Sequence, residues 1–292
     1  MPTYSNTIRG ETGEYTGEHS ITISFKNMNG EAQFSEEETA YCKNTGRDWH
    51  LVPASRPLVN PPEVKTKIID NPGGDGIIDL SQAVTGFPVF GQRKGSWEFY
   101  VLNGWWNWYD IYSKIMNFLH GKDVQIRLDD DPEYYYNGRL TVNQWSSDKD
   151  HSKITIDYDL DPYKISFFQS TDSKWLWDEF NFNTGFISDG LFKGLKADPK
   201  GKKYTFKGTD VGRRPTTPIL RIITPSSSVK LTKLTFINKE LHINRSWSNY
   251  GTMNLHSLFI VFTGFDPENE ISLVLTGDSR ITVDVIFRPG EF

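Results

Sequence analysis

Four acids fall within five positions at Asp129-Asp130-Asp131-Pro132-Glu133. Paired carboxylates are what a glycosidase needs, one to protonate the leaving oxygen and one to attack or to activate water. Successive residues of an extended chain point to opposite faces, so only alternate members could converge. Pro132 and the following Tyr134-Tyr135-Tyr136 favour a solvated corner between two strands, with Arg139 close enough in the hairpin for a salt link. Calcium could draw oxygen ligands from this corner or from Asp70 to Asp79, but neither stretch has EF-hand spacing. The segment Pro72-Gly73-Gly74-Asp75-Gly76 lacks the Gly-Lys-Ser/Thr ending of a phosphate cradle and reads as a tight loop. The six His residues, at 19, 50, 120, 151, 242 and 256, form no His-Glu-x-x-His pair, and no Gly-x-Ser-x-Gly elbow is present. The lone Cys42 can neither close an intrachain disulfide nor build a thiolate zinc site. The expectation is therefore no catalytic residue, no cofactor and no metal.

One cluster has the residue types of a sugar site. In Leu241-His242-Ile243-Asn244-Arg245-Ser246-Trp247, the polar side chains His242, Asn244 and Arg245 could read hydroxyls while Trp247 stacks on a ring. The competing reading is a strand end followed by a turn. On the binding reading, the half from Phe168 to Phe292 recognises cell-wall saccharide.

The elements that position these residues are mostly strands. Ile21 to Phe25 alternates apolar and hydroxyl side chains, the period of a half-buried strand, and Asn27 to Gly30 supplies a turn. Glu31 to Lys43, with its run of three Glu, reads as an exposed loop. Arg47 to Pro62 holds four prolines, which remove backbone donors and favour an extended arm. Val64 to Asp70 alternates as a strand with one wet face, stopped by the Gly-rich turn. Asp79 to Gly86 is a short helical turn or loop, and Ser96 to Val101 a strand. One helix is expected from Trp105 to His120, with a buried stripe of Trp105, Trp108, Tyr109, Tyr112, Ile115, Met116 and Leu119, a cap at Asn103 or Asn107, and an end at Gly121. Further strands are expected at 123–128, 134–145 and 153–158. After these come many short strand-like runs, at 175–180, 204–206, 219–223, 229–237, 240–243, 258–263, 271–275 and 281–287, spaced as in a β-sandwich.

With 292 residues the chain can bury two cores, and we place the domains at 1–163 and 164–292. A net charge of −5 opposes non-specific binding to nucleic acid. No apolar run is long enough to span a bilayer, so no membrane partner is expected. Met1 to Gly17 is polar and unlike a secretory leader, which implies synthesis in a cytoplasm.

The block Asp48-Trp49-His50-Leu51-Val52-Pro53-Ala54-Ser55-Arg56-Pro57, followed by Asn60-Pro61-Pro62-Glu63-Val64-Lys65-Thr66-Lys67, resembles the early part of distal tail proteins (Dit) of phages with long non-contractile tails that infect Gram-positive bacteria. More segments follow in the family's order: Ile69 to Gly76 with Asp79-Leu80-Ser81, Thr85-Gly86-Phe87-Pro88, Gly95-Ser96-Trp97-Glu98-Phe99, Leu119-His120-Gly121-Lys122, and Leu128 to Arg139. The resemblance covers about Asp48 to Tyr158. It implies a mainly β protein of two sandwich-type domains, the first a ring domain related to tail-tube folds and carrying one helix, the second galectin-like. It implies a virion protein of the tail tip or baseplate, a homohexameric ring that joins the tail tube to the tip and is no enzyme. Its partners would be the tail-tube protein, the tail-associated hub or lysin protein, the tape-measure protein and, in some phages, receptor-binding or baseplate proteins, with DNA passing through the lumen unbound. The extended arm and loop, Arg47, Trp49, Arg56, Pro57, Pro61, Pro62, Asp70, Pro72, Gly73, Gly74, Asp75 and Gly76, are then expected between subunits. Galectins bind sugar through a His-x-Asn-x-Arg pattern; here Arg245 directly follows Asn244, and sugar binding is not carried over.

Overall fold

The computed structural model describes residues 19–26, 33–172 and 191–292. The polar start from Met1 to Gly17, the turn expected at Asn27 to Gly30 and the strand expected at 175–180 lie outside them. In chain order the strands are β1 (Ile21–Ser24), β2 (Cys42–Asn44), β3 (Leu51–Pro53), β4 (Val64–Lys65), β5 (Ile68–Asp70), β6 (Ile77–Asp79), β7 (Val89–Phe90) and β8 (Arg93–Val101). A short 3-10 turn at Trp105–Asn107 leads into helix α1 (Trp108–Leu119), and β9 (Lys122–Leu128), β10 (Tyr134–Ser147), β11 (Ser152–Leu160) and β12 (Lys164–Ser166) follow. The second half holds β13 (Leu195–Lys196), β14 (Lys202–Lys207), a four-residue helical turn α2 (Gly208–Val211), β15 (Ile219–Ile223), β16 (Leu231–Asn238), β17 (Ile243–Tyr250), β18 (Met253–Leu255), β19 (Glu270–Thr276), β20 (Thr282–Ile286) and β21 (Gly290–Glu291). The architecture is mainly β, with one helix of any length among the described residues. None of them forms a helix long and apolar enough to cross a membrane.

The chain clusters into two compact units. One comprises Met1–Glu63 with Phe90–Lys164; the other comprises Val64–Val89 with Ile165–Phe292. In the first, an antiparallel sheet runs in the order β2-β1-β9-β10-β11-β8-β3. Its two ends, β2 and β3, are joined by residues 45–50, and the Leu51 N–H donates to the Thr45 carbonyl at 2.9 Å, so the sheet curls back on itself. A register shift between Val142 and Gln144 marks a bulge in β10 that adds to the bend. Helix α1 lays Ile111, Ile115 and Leu119, one turn apart, into this core. Phe118 meets Trp49 edge-on at 5.6 Å and Phe25 at 4.7 Å.

The helix starts near its expected place, but the stripe is rotated from the expected one. Trp105, Trp106 and Tyr109 are 69%, 68% and 75% exposed: both Trp lie in the 3-10 turn ahead of α1, and Tyr109, two residues before Ile111, falls on the opposite face of the helix. The expected caps also differ: Asn107 sits at the N-cap without a side-chain hydrogen bond, and Asn103 instead offers its carbonyl to Trp108 Nε1 at 2.7 Å.

Strand β1 is not half-buried. Its two hydroxyl residues, Thr22 and Ser24, are as inaccessible as Ile21 and Ile23. Asn44 makes this tolerable, since its Nδ2 donates to Ser20 Oγ at 2.8 Å and Thr22 Oγ1 at 3.0 Å while its Oδ1 accepts from Gly46 and Arg47 N–H groups. A buried amide that meets its hydrogen bonds costs little; one that does not costs about 1–3 kcal/mol.

The second unit is a sandwich of two four-stranded sheets, β13-β20-β15-β18 and β14-β19-β16-β17. Between them lies an aromatic core in which Phe192 stacks on Phe206 at 4.8 Å and Phe236 on Phe262 at 5.7 Å. Two of the expected strands moved. Residues 240–242 form a turn with the strand starting at Ile243, and 258–263 is irregular apart from a bridge of Phe262 to Thr216. Buried Asn269 closes one end of the sandwich, donating to Asn238 Oδ1, the Thr263 carbonyl and Glu240 Oε2. Burial, with Asp266 nearby, raises the Glu240 carboxyl above its ordinary value.

Candidate functional site

The acidic corner between β9 and β10 is a clasp. Asp129 accepts from Ser20 Oγ. Asp130 takes His19 Nδ1 at 2.7 Å and Arg56 Nε at 2.8 Å. Asp131 takes Lys164 Nζ at 2.8 Å, and that ammonium also lies 4.3 Å from the Tyr134 ring centre. Desolvation pulls the Asp130 carboxyl upward, but the hydrogen bonds from Arg56 and His19 outweigh it and hold the group below the ordinary 3.8. A general acid needs the opposite shift. Each aspartate is therefore engaged in tying residues 19, 20, 56 and 164 to the β9–β10 turn. Arg139, expected to pair here, instead donates to the Gly121 carbonyl. Among the described residues no group of three His, Cys, Asp or Glu is placed to hold a metal ion.

The proline-rich arm divides in two. Its first part belongs to the core: Trp49 is 3% exposed, and Arg47 grips Asp48 through Nε at 2.7 Å and Nη2 at 2.8 Å. The Trp49 ring packs within its own unit, edge-on to Phe118. The second part, from Arg56 to Pro62, is strapped along β8 and β11. Trp97 Nε1 donates to the Leu58 carbonyl at 2.9 Å, Arg93 Nη1 to the Asn60 carbonyl at 2.9 Å, and the Asn60 N–H to the Tyr158 hydroxyl at 3.0 Å. Pro57 is buried, Pro62 partly so, while Arg56 and Pro61 face solvent.

Beyond the strap, β5 and β6 form a two-stranded hairpin with Ile68 opposite Asp79, Ile69 opposite Ile78 and Asp70 opposite Ile77. Its turn carries Asp70, Pro72, Gly73, Gly74, Asp75 and Gly76, all exposed. Gly73 and Gly76 have φ of 92° and 87°, which side-chain-bearing residues rarely adopt. The hairpin is wet on both faces, not one: Ile68, Ile69, Ile77 and Ile78 are 51%, 43%, 62% and 48% exposed. These four side chains are absent from the sequence-based candidates. Their signal was available, since two Ile-Ile doublets flanking a Gly turn break the period-two alternation and put isoleucine on both faces.

The saccharide-type cluster falls on edge strand β17 and is divided between faces. Trp247 packs against the sandwich core with Ile243, and Arg245 lies 5.1 Å from the Phe259 ring centre. Asn244 alternates to the opposite side, next to Ser246, which pairs with Thr235 at 2.9 Å. His242 sits in the preceding turn with φ of 51°. The four residues do not converge on one pocket.

No protein-family model and no curated protein matches the sequence. Among solved structures, the chain is similar to the crystal structure of the Dit protein of SPP1, described as a paradigm of hub adsorption apparatus in Gram-positive infecting phages. The match covers 92% of this chain and 98% of that one, with a TM-score of 0.56 and 12% identity. A curled sheet with one helix, an exposed hairpin and a following sandwich thus compose, nearly end to end, the fold of the SPP1 Dit protein.

Proposed function

We propose that this chain is a hub component of a phage tail, assembling as a ring of six copies at the distal end of the tail tube and joining the tube to the tail tip. The observation that carries the reading is the end-to-end likeness to a hub protein of an adsorption apparatus, which spans both units rather than one shared module. The exposed hairpin supports it. A two-stranded hairpin is marginal alone in water, and isoleucines on both of its faces call for cover from another surface. In this role Arg56, Pro61 and the Asp70 to Gly76 turn lie at or near the contact between copies.

On this reading the protein acts without catalysis. The tail-tube protein would meet one ring face and the tail-associated hub protein the other, with the tape measure and later DNA in the lumen. Six copies would carry about −30, which lets DNA pass without sticking. The protein would be made in the host cytoplasm and end in the virion tail tip.

Light scattering across a range of concentrations tests the ring. The expected result is a mass near six or twelve chains, while a strict monomer at every concentration, alone and with tail tubes added, sinks the reading.

A further inference from the structure

We infer that Arg93 is a latch that couples the chain's two departures from the first unit, at 60–63 and at 162–164, so that neither loosens without the other. The inference stands apart from the ring reading above, since every residue in it belongs to the first unit.

The chain leaves this unit after Glu63, returns at Phe90 and leaves again after Lys164. The three crossings are tied to one another. The Gly91 N–H donates to the Glu63 carbonyl at 2.7 Å, and Phe90 meets Tyr163 edge-on at 6.2 Å. Arg93, just after the return, reaches both departures: its Nη1 donates to the Asn60 carbonyl and its Nε to the Pro162 carbonyl, each at 2.9 Å.

The guanidinium is nearly dry. Arg93 is 4% exposed and stands opposite Leu160 in the register of β8 and β11, with its Cζ 5.7 Å from the Tyr136 ring centre. Among the described residues no carboxylate pairs with it, and its Nη2 has no hydrogen-bond partner. An arginine stays charged in a protein, so this fork rests a full charge on two backbone oxygens and a ring face. An apolar side chain would fill the same space without the cost of drying a charge. What it could not do is fix the spacing of two separate stretches of backbone, which a planar fork of donors does.

The same shortage of partners makes the latch cooperative. If the Asn60 carbonyl moves away, one hydrogen bond is left to hold a buried charge, and the fork swings toward water rather than stay half-satisfied. Nε then leaves Pro162, and the second departure is freed with the first. Asn60 is itself fixed, since its Nδ2 donates to the Lys94 carbonyl at 2.8 Å above Gly95, where a Cβ would fall 2.6 Å from that nitrogen. A pull on the 64–89 excursion therefore reaches residues 162–164 through one side chain rather than through the hydrophobic core.

Hydrogen exchange on the full-length protein, read in peptides covering 58–63 and 160–165, tests the latch. Arg93→Met keeps much of the volume and removes the fork. Exchange should rise about fivefold in both peptides, the equivalent of one hydrogen bond in each, while peptides from β9 keep the wild-type rate. Asn60→Ala cuts the bond to Lys94 and leaves Arg93 in place. It should speed both peptides when Arg93 is present, and only 58–63 when Arg93→Met is already there. A 160–165 peptide that keeps its wild-type rate in either single variant overturns the latch. So does a further rise at 160–165 when Asn60→Ala is added to Arg93→Met, because the coupling then runs by another route. Should Arg93→Met fail to fold, the Asn60→Ala protein alone decides.

Discussion

Two segments with similar sequence readings, Ile21 to Phe25 and Val64 to Asp70, have opposite fates. Both read as period-two strands; the first becomes β1 and the second leads into β5 of the hairpin. The structure buries every side chain of β1, hydroxyls included, and leaves every side chain of the hairpin exposed. Periodicity decides that a segment is extended; what covers each face is decided by neighbours far away in sequence. For β1 those neighbours are β2, β9 and the Asn44 amide within the same unit. For the hairpin, we propose, they belong to another copy.

The sharpest break of this contrast is a pair of truncations. Ile23→Ala removes a side chain that is 1% exposed and should cost about 2–5 kcal/mol in denaturant unfolding. Ile78→Ala should change the same measurement by less than about 0.5 kcal/mol while weakening self-association. Equal losses in unfolding would mean that the hairpin is already covered within one chain. Asn44→Ala comes next. It strips the buried hydroxyls at Ser20 and Thr22 of their donor and two backbone N–H groups of their acceptor, and should cost about 1–3 kcal/mol. Asn44→Asp, which keeps the acceptor and loses the donor, should fall between Ala and wild type.

Gly76→Ala forces a side chain into φ of 87°, a strain of about 1–2 kcal/mol confined to the turn. Trypsin should then cut faster at Lys65 and Lys67 while the global melt stays put. The smallest effect is a pH term. The folded Asp130 carboxyl titrates below its ordinary 3.8, so the clasp contributes its stability above that value and loses it as pH falls from there toward the lowered folded pKa. In Asp130→Asn, the stability curve over that acid window should be flatter than in wild type, with stability at neutral pH lowered by the small amount that the wild type loses across the window.

Much of this was legible beforehand. The strands from β8 to β11, the single helix and its end at Gly121 follow from alternation, three-and-four spacing and a glycine with positive φ. What periodicity could not supply was partnership. Trp105 and Tyr109 have the spacing of a core stripe, yet Trp105 falls in the 3-10 turn ahead of α1 and Tyr109 on the helix face opposite Ile111. The acids at 129–131 look alike in sequence, but their roles depend on His19, Arg56 and Lys164, which only folding brings to them. The split of Asn244 from Trp247 could have been foreseen had the cluster been read as strand rather than turn.

The placement of β1 between β2 and β9 also governs how the chain is made. Its partner on one side comes soon in the chain, with Ser24 opposite Cys42, but on the other side Ile21 waits for Leu128. At about 5–20 residues per second, the first strand leaves the ribosome several seconds before the strand that must cover its second edge. During that interval an apolar, unpaired edge is open to other nascent chains, so the speed at which β9 follows β1 sets how much chain folds rather than aggregates.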